Sequence, residues 1–370
     1  MNIKNNKAVM IMFFLILTAV LLAMQYIALL WTVTNTSYIS NNFWIKLLPL
    51  VCTALFMFVM TYMRTAQGAY AEVLAQAMYI WLGAVFLWFS VSMLFMFCQI
   101  AIGLFKISAP QNLSLYALAL TAVLTITAIA TAQQMPKVAK INIKNPFANG
   151  QELKIVQISD THLGIGVSVN RLKKLTALIQ SLNPDIIVFT GDIFEETHLR
   201  PQEYTAALKA LTPRYGKYAV LGNHEYYRGA QNNIDLWRDA DIMPLLNTSA
   251  QAGGINIIGV NDVKTSNISK AQFESLLAAN ADKNKFNLLL SHTPIYFEDA
   301  ANNGINLMLS GHTHNGQIWP FNYLVKLSFK YSYGLYSHNN ANIYVTSGAF
   351  FWGPPMRLFT NNEITLITLS

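Results

Sequence analysis

Charge is spread so unevenly along this 370-residue chain that its two parts cannot share one solvent. Of 25 basic and 18 acidic residues, only Lys4, Lys7, Lys46, Arg64, Glu72 and Lys106 lie before residue 137. Long apolar runs fill the space between them. A helix rises about 1.5 Å per residue and a hydrocarbon core is about 30 Å thick, so roughly 20 apolar residues are enough to cross it. Residues 9–31, 47–63, 77–105 and 113–132 meet that requirement, the second run being short and carrying Pro49 near its start. Residues 1–136 are therefore expected to form a transmembrane region of about four helices.

Lys4 and Lys7 precede the first run as they would in a signal peptide. The run is too long for that, and no small-residue cleavage site closes it, so it reads as an anchor. Four spans put both chain ends on one side. Lys4, Lys7, Arg64, Lys137, Lys140 and Lys144 outnumber Lys46 and Lys106, which predicts an inner-membrane protein whose second part faces the cytoplasm.

The net charge of +7 says less, because residues 137–370 carry 20 basic and 17 acidic groups. Lys137, Lys140 and Lys144 beside the last span can meet anionic headgroups or simply fix topology. No basic stripe or nucleic-acid motif is present, so the expected non-protein partner is the lipid bilayer and not nucleic acid. Cys52 and Cys98 fall in the spans as ordinary apolar packing and supply neither a disulfide framework nor a zinc ribbon.

Residues 137–150, which include Pro146 and Asn149-Gly150, read as a linker. Residues 151–370 are long enough for one large domain. Short β-branched runs alternate there with helical patterns: strands are expected at 153–159, 185–190, 218–221, 255–260, 286–290, 306–309, 343–346 and 364–369. Helices are expected at 169–182, 203–211 and 270–279. Leu172, Leu175, Leu178 and Ile179 mark the buried stripe of the first helix. This is α/β architecture with its early strands buried.

Five segments stand where those strands end: Asp160-Thr161-His162, Gly191-Asp192, Gly222-Asn223-His224-Glu225, Ser291-His292 and Gly311-His312-Thr313-His314. They hold five of the chain's seven histidines. Ligands of α/β sheets gather outside the carboxyl ends of strands, where loops converge. Carboxylate oxygen and imidazole nitrogen bind Mn²⁺, Fe and Zn²⁺, and two such ions need about seven donors from different loops. Asp160, His162, Asp192, Asn223, His224, His292, His312 and His314 are the candidates these segments supply, enough for that number.

In this order the segments resemble the calcineurin-like metallophosphoesterase family, in its membrane-anchored bacterial branch, over residues 137–370. The resemblance implies a four-layer α/β/β/α sandwich with two divalent cations, manganese favoured. Asp160, His162 and His314 would hold one ion and Asn223, His292 and His312 the other. Asp192 would bridge them, and His224 would be the catalytic histidine.

A cation pair bridged by a carboxylate lowers the pKa of a shared water, giving a hydroxide in line with phosphorus. His224 is then free to protonate the leaving oxygen or stabilise the transferring group, with Glu225 orienting it or a ligand. His198 and His338 read as surface or supporting residues. Glu195 and Glu196 are expected to face solvent. Arg357, in a Gly-x-Pro-x-Arg-like segment, reads as structural, and Trp319, Phe321, Tyr331, Tyr333, Phe350, Phe351 and Trp352 form either a rim for a lipid-like substrate or a core edge.

Two classes of function follow. One is a membrane-anchored phosphoesterase, acting on a phosphoester or pyrophosphate of a phosphorylated amphiphile such as UDP-2,3-diacylglucosamine. The other is a receptor or scaffold whose second domain is structural only. A domain kept for shape has no need of seven filled ligand positions and a separate catalytic histidine, and the spans offer no ion pathway beyond Glu72 at a boundary. The enzyme is the stronger expectation.

Overall fold

The computed structural model describes residues 3–39, 42–62, 68–108, 110–147, 150, 152–195, 200–227 and 229–370. Arg64, Asn149, Glu196 and His198 lie outside the described residues. The chain divides into two compact units, Met1–Ala130 and Thr131–Ser370.

The first unit is helical: α1 (Ile3–Thr34), α2 (Phe43–Tyr62), α3 (Ala69–Leu104) and most of α4 (Leu113–Gln133). Each is long and apolar enough to cross a membrane. α2 runs through Pro49, which helices in lipid tolerate when neighbouring groups re-satisfy the freed backbone. α3 starts at Ala69, ahead of the apolar run, with Glu72 in its first turn, where the positive end of the helix dipole suits a carboxylate. Polar side chains join the helices. Gln25 Nε2 donates to Thr53 Oγ1 at 2.7 Å, and Trp31 Nε1 to Gln99 Oε1 at 3.2 Å. Such bonds are the usual glue where lipid removes any hydrophobic drive between helices.

The second unit follows in chain order as β1 (Lys137–Ile143), β2 (Leu153–Ile158), α5 (Val169–Ser181), β3 (Ile186–Phe189), α6 (Pro201–Lys209), β4 (Lys217–Ala219), α7 (His224–Tyr227) and α8 (Ala230–Asp239). Next come β5 (Ile242–Pro244), β6 (Thr248–Ala252), β7 (Ile255–Val260), α9 (Lys270–Asn280), β8 (Asn287–Ser291), α10 (Phe297–Asn302) and β9 (Leu307–Ser310). A 3₁₀ turn at His314–Gly316 leads into α11 (Phe321–Ser328), β10 (Gly334–His338), β11 (Ala341–Val345) and β12 (Glu363–Leu369).

The strands form two six-stranded sheets, ordered β1-β12-β2-β3-β4-β5 and β10-β11-β9-β8-β7-β6. Ile155, Ile186 and Val188 of the first sheet share one core with Ile257, Leu288, Leu290 and Leu309 of the second, so the sheets lie face to face. The outer face of the first is covered by Leu172, Leu208 and Trp237 from α5, α6 and α8. That of the second is covered by Phe273, Leu277 and Phe297 from α9 and α10. The result is the expected four-layer α/β/β/α sandwich.

Local sequence explains the elements that position the site. β2, β3, β8 and β9 are short, almost wholly buried apolar runs, as strands covered on both faces require. α5 starts where the Ser168 side chain accepts the Arg171 N–H, and it buries Leu172, Leu175 and Ile179 at helical spacing. Residues 137–143, inside the stretch read as a linker, form β1 in parallel register with β12, Lys137 opposite Glu363 through Ile143 opposite Leu369. Lys140 and Asn142 of this edge strand are exposed, so its polar alternation resembles a loop in the sequence. The unit's opening residues are tied down as well, with Arg171 and Asn362 both donating to the Gln134 carbonyl, at 3.1 and 2.7 Å.

Candidate metal centre

Every candidate ligand segment sits just beyond a parallel strand. Asp160 and His162 follow β2, Asp192 follows β3, Asn223 follows β4, His292 follows β8, and His312 and His314 follow β9. Five of the seven carry positive φ: Asp160 at 53°, His162 at 41°, Asp192 at 53°, His312 at 71° and His314 at 49°. For residues with a Cβ this left-handed region costs on the order of 1–2 kcal/mol each, and it persists only where the surroundings impose it.

The surroundings here are the other loops that carry candidate ligands. Asp160 N–H donates to Gly191 O at 3.1 Å, His162 N–H to Asp192 O at 3.1 Å, and Gly311 N–H to His292 O at 3.0 Å. Glu225, fully buried, accepts from the N–H groups of Asp192 at 3.0 Å, Ile193 at 2.7 Å and Gly222 at 2.8 Å, joining two loops through one carboxylate. Burial and the Asp192 charge push Glu225 up to about 7 against those hydrogen bonds. Gly222 is required by close approach, because a Cβ there would lie 2.2 Å from Asp192 Oδ1.

The side chains converge in overlapping groups whose donor atoms lie within 4.8 Å of one another: Asp160, His162 and His314; His162, Asp192 and His224; Asp192, His292 and His312. His162 Nε2 is 3.1 Å from His314 Nε2, and His314 Nε2 is 3.4 Å from Asp160 Oδ1. On the other side His292 Nε2 is 3.2 Å from His312 Nδ1, and Asn223 Oδ1 lies 3.1 and 2.9 Å from those two nitrogens. Asp192 stands between, with Oδ2 3.1 Å from His292 Nε2 and 4.0 Å from His162 Nε2.

These spacings fit cations. Two donors at right angles, each about 2.1 Å from one ion, lie about 3 Å apart. The supporting bonds leave the inward atoms available. His292 Nδ1 faces Thr190 O at 2.8 Å and His162 Nδ1 faces Glu195 Oε1 at 2.6 Å, so in each ring Nε2 is the atom turned inward. Against burial, the Asp192 carboxylate raises His292 well above its ordinary value, so a cation there would have to displace the Nε2 proton. Burial lowers His312 to about 4 and holds His314 well below its ordinary value, which keeps both rings neutral as ligation requires. Burial works against charge on Asp192 too, yet His292 and His224 hold it well below the usual carboxylate range.

His224 opens α7, and its backbone N–H donates to Asp192 Oδ1 at 2.9 Å. Its Nδ1 lies 3.3 Å from Glu195 Oε2. Burial disfavours the imidazolium, but the Glu195 and Asp192 carboxylates outweigh it and lift His224 to about 9. Glu195 thus does not simply face solvent. It links His162 to His224, and its place three residues beyond Asp192 in the same loop is what brings it there.

Arg357 is fully buried, donates to His314 O at 3.2 Å and Ser347 O at 2.6 Å, and also binds Phe350 O. It positions the His314 loop. The late aromatics split: Tyr331, Phe350 and Phe351 are buried, while Trp352 is exposed with its ring centroid 5.8 Å from that of His224. His338 ends β10 and packs near Phe297 at 6.4 Å. Asp262, buried beyond β7, accepts from Thr265 N–H at 2.9 Å and from the Thr293 hydroxyl, bracing the residue after His292. No sequence signal marked it.

Residues 153–316 match the calcineurin-like phosphoesterase family. A metallophosphoesterase of Campylobacter jejuni is 34% identical over 68% of this chain and 67% of its own. One from Aquifex aeolicus is 33% identical over 60% of this chain and 86% of its own, and a transmembrane protein with metallophosphoesterase domain from Danio rerio is 32% identical over 68% and 62%. The chain belongs to the calcineurin-like metallophosphoesterase family. Its match spans 60% of the Helicobacter pylori relatives.

Proposed function

We propose that this chain is a membrane-anchored, metal-dependent phosphohydrolase that cleaves a phosphoester or pyrophosphate bond. Asp160, His162 and His314 would hold one divalent cation, Asn223, His292 and His312 a second, and Asp192 would bridge them. The observation that carries this reading is the Asp192 carboxylate, whose Oδ2 faces a histidine of each set while Oδ1 is fixed by the His224 N–H. A centre of four imidazoles, two carboxylates and an amide admits manganese, iron or zinc, and manganese is the proposed metal on the resemblance to the family.

When bound, the cations supply Lewis acidity and a water acidic enough to attack phosphorus near neutral pH. His224, kept cationic by Glu195, offers a proton or a charged hydrogen bond to the oxygen that leaves. Glu225 holds the Asp192 and Gly222 backbones in register. The buried flanks of His162 and His292 keep water from competing for the donor atoms.

A phosphorylated amphiphile, of the class of lipid-linked pyrophosphates such as UDP-2,3-diacylglucosamine, is the proposed substrate. Four apolar helices and the exposed Trp352 and Tyr227 rings beside His224 support it. The basic residues flanking the spans support an inner-membrane location with the second unit in the cytoplasm. The full chain, reconstituted with Mn²⁺, should hydrolyse bis-p-nitrophenyl phosphate or p-nitrophenyl phosphate and act faster on lipid-linked pyrophosphates. Metal-loaded protein that hydrolyses none of them would sink this reading.

A further inference from the structure

The last ligand loop runs directly into an exposed apolar helix. Gly316 closes the turn that His314 begins, and a Cβ there would lie 2.2 Å from the Asn322 Cα, so the start of α11 is pressed against the ligand loop. Among the residues of α11 only Val325 is buried. At about 100° per residue, Tyr323, Leu327, Leu324 and Phe321 fall on one arc of about 160°, with Ser328 between Leu324 and Phe321, Lys326 flanking Tyr323 and Asn322 opposite. Tyr323, Leu327, Leu324 and Phe321 are 57, 85, 55 and 47% exposed. Phe359, 74% exposed, meets the Trp319 ring edge-on at 6.2 Å beside the start of the helix.

A contiguous apolar face of this kind marks an interaction surface on a folded protein. The chain's own composition selects the occupant. Four of its helices are long and apolar enough to cross a membrane, so a bilayer is always within reach of the second unit. The face also has the make-up of a segment that lies at headgroup depth: Leu324 and Leu327 at its centre, Tyr323 and Phe321 at its edges, and a lysine beside Tyr323. Lys326 makes no ion pair among the described residues, and its Nζ lies 5.8 Å over the Tyr323 ring. Its stem therefore follows the apolar arc while its charge remains free for a lipid phosphate. Towards the metal centre, the Gln317 side chain donates to Trp352 O at 2.9 Å and accepts the Trp352 N–H at 2.9 Å, tying the loop that leads into the helix to an exposed indole beside His224.

We propose that the Tyr323, Leu324, Leu327 and Phe359 face docks into the headgroup and upper acyl region of the bilayer, bringing the rim of the metal centre to lipid-borne phosphates. The inference rests on the reading of the chain as a membrane-anchored phosphohydrolase and adds the surface that meets the lipid. α11 would be an interfacial element distinct from the spans.

The test uses the full chain, with Cys52→Ala and Cys98→Ala, in vesicles of phosphatidylethanolamine and phosphatidylglycerol. A nitroxide is attached through Leu327→Cys and, as control, through Gln202→Cys on the exposed side of α6. Docking predicts an oxygen-to-nickel-chelate collision ratio severalfold higher at 327 than at 202. Equal ratios overturn the proposal, and so does a 327 label shielded from both quenchers and dipolar-coupled to a second chain, which would make the face a dimer contact. In a second arm, Leu324→Glu with Leu327→Glu should lower kcat/KM on a vesicle-borne pyrophosphate at least tenfold and leave bis-p-nitrophenyl phosphate hydrolysis unchanged. Equal losses on both substrates also overturn it. If the unaltered chain cleaves no vesicle substrate, the proposed substrate class has failed, and the collision ratios still decide docking.

Discussion

His224 presents its Nδ1 to the Glu195 carboxylate at 3.3 Å, while the other oxygen of that carboxylate holds the Nδ1 of His162 at 2.6 Å. One side chain therefore fixes the ring orientation of a proposed metal ligand and the charge of a proposed acid. Its position in the Asp192 loop means that these functions are set together by the carboxyl end of β3.

Glu195→Gln separates the two effects. His224 stands at about 9, above its ordinary value near 6.5. If the charged ring is the active form, activity is present at low pH and is lost as pH rises through the His224 value, which is about 9 in the metal-free chain and is lowered by cations bound beside it. Removing the carboxylate should move this alkaline limb down by about one unit or more and lower kcat at pH 8 by at least about tenfold. A pH-rate profile with bis-p-nitrophenyl phosphate measures both, and an unmoved limb would show that Glu195 does not set the His224 charge.

His224→Ala should leave two metals per chain and lower kcat by at least about a hundredfold, the loss expected for a positioned acid. Metal analysis beside the kinetics decides the role of His224. Loss of one ion would make it a ligand.

Arg357→Lys should destabilise the second unit although charge is conserved. An ammonium cannot span the carbonyls of His314, Ser347 and Phe350 as the guanidinium fork does. Each charged hydrogen bond lost counts about 1.5–3 kcal/mol, so thermal unfolding of the purified chain should fall by several degrees. An unchanged midpoint would mean that the buried fork adds no net stability.

The β1 pairing sets where a soluble fragment must begin. A fragment of residues 131–370 should fold and bind metal. One of residues 144–370 loses the seven-residue pairing of Lys137–Ile143 with β12 and should melt at least about 5 °C lower or aggregate through the bared edge. Equal melting of the two would show that β1 is dispensable.

The sandwich was legible in the sequence because its central strands are apolar runs and its ligand segments end them. Edge elements were not. β1 reads as Lys-Val-Ala-Lys-Ile-Asn-Ile, a half-polar pattern that only its pairing with β12 turns into a strand. α11 was missed because its apolar arc faces outward and its eight residues follow a proline. At the site the residue types were enough to nominate donors, since few histidines were available to scatter. Glu195 was misjudged because nothing local distinguishes it from Glu196, and its importance comes from His162 and His224, which lie far from it in the chain. The positive φ of Asp160, Asp192 and His312 is likewise a product of loops held against one another.

The proposed bridging role of Asp192 is tested most directly by counting metals. Full-length protein purified with Mn²⁺ and Asp192→Asn prepared in parallel are measured by elemental analysis. The bridging arrangement predicts two ions per chain in the first, and at most one in the second together with loss of activity on every substrate, because a neutral amide cannot hold two divalent cations as a carboxylate does. Two ions and full activity in Asp192→Asn, or less than one ion in the unaltered chain, would contradict it.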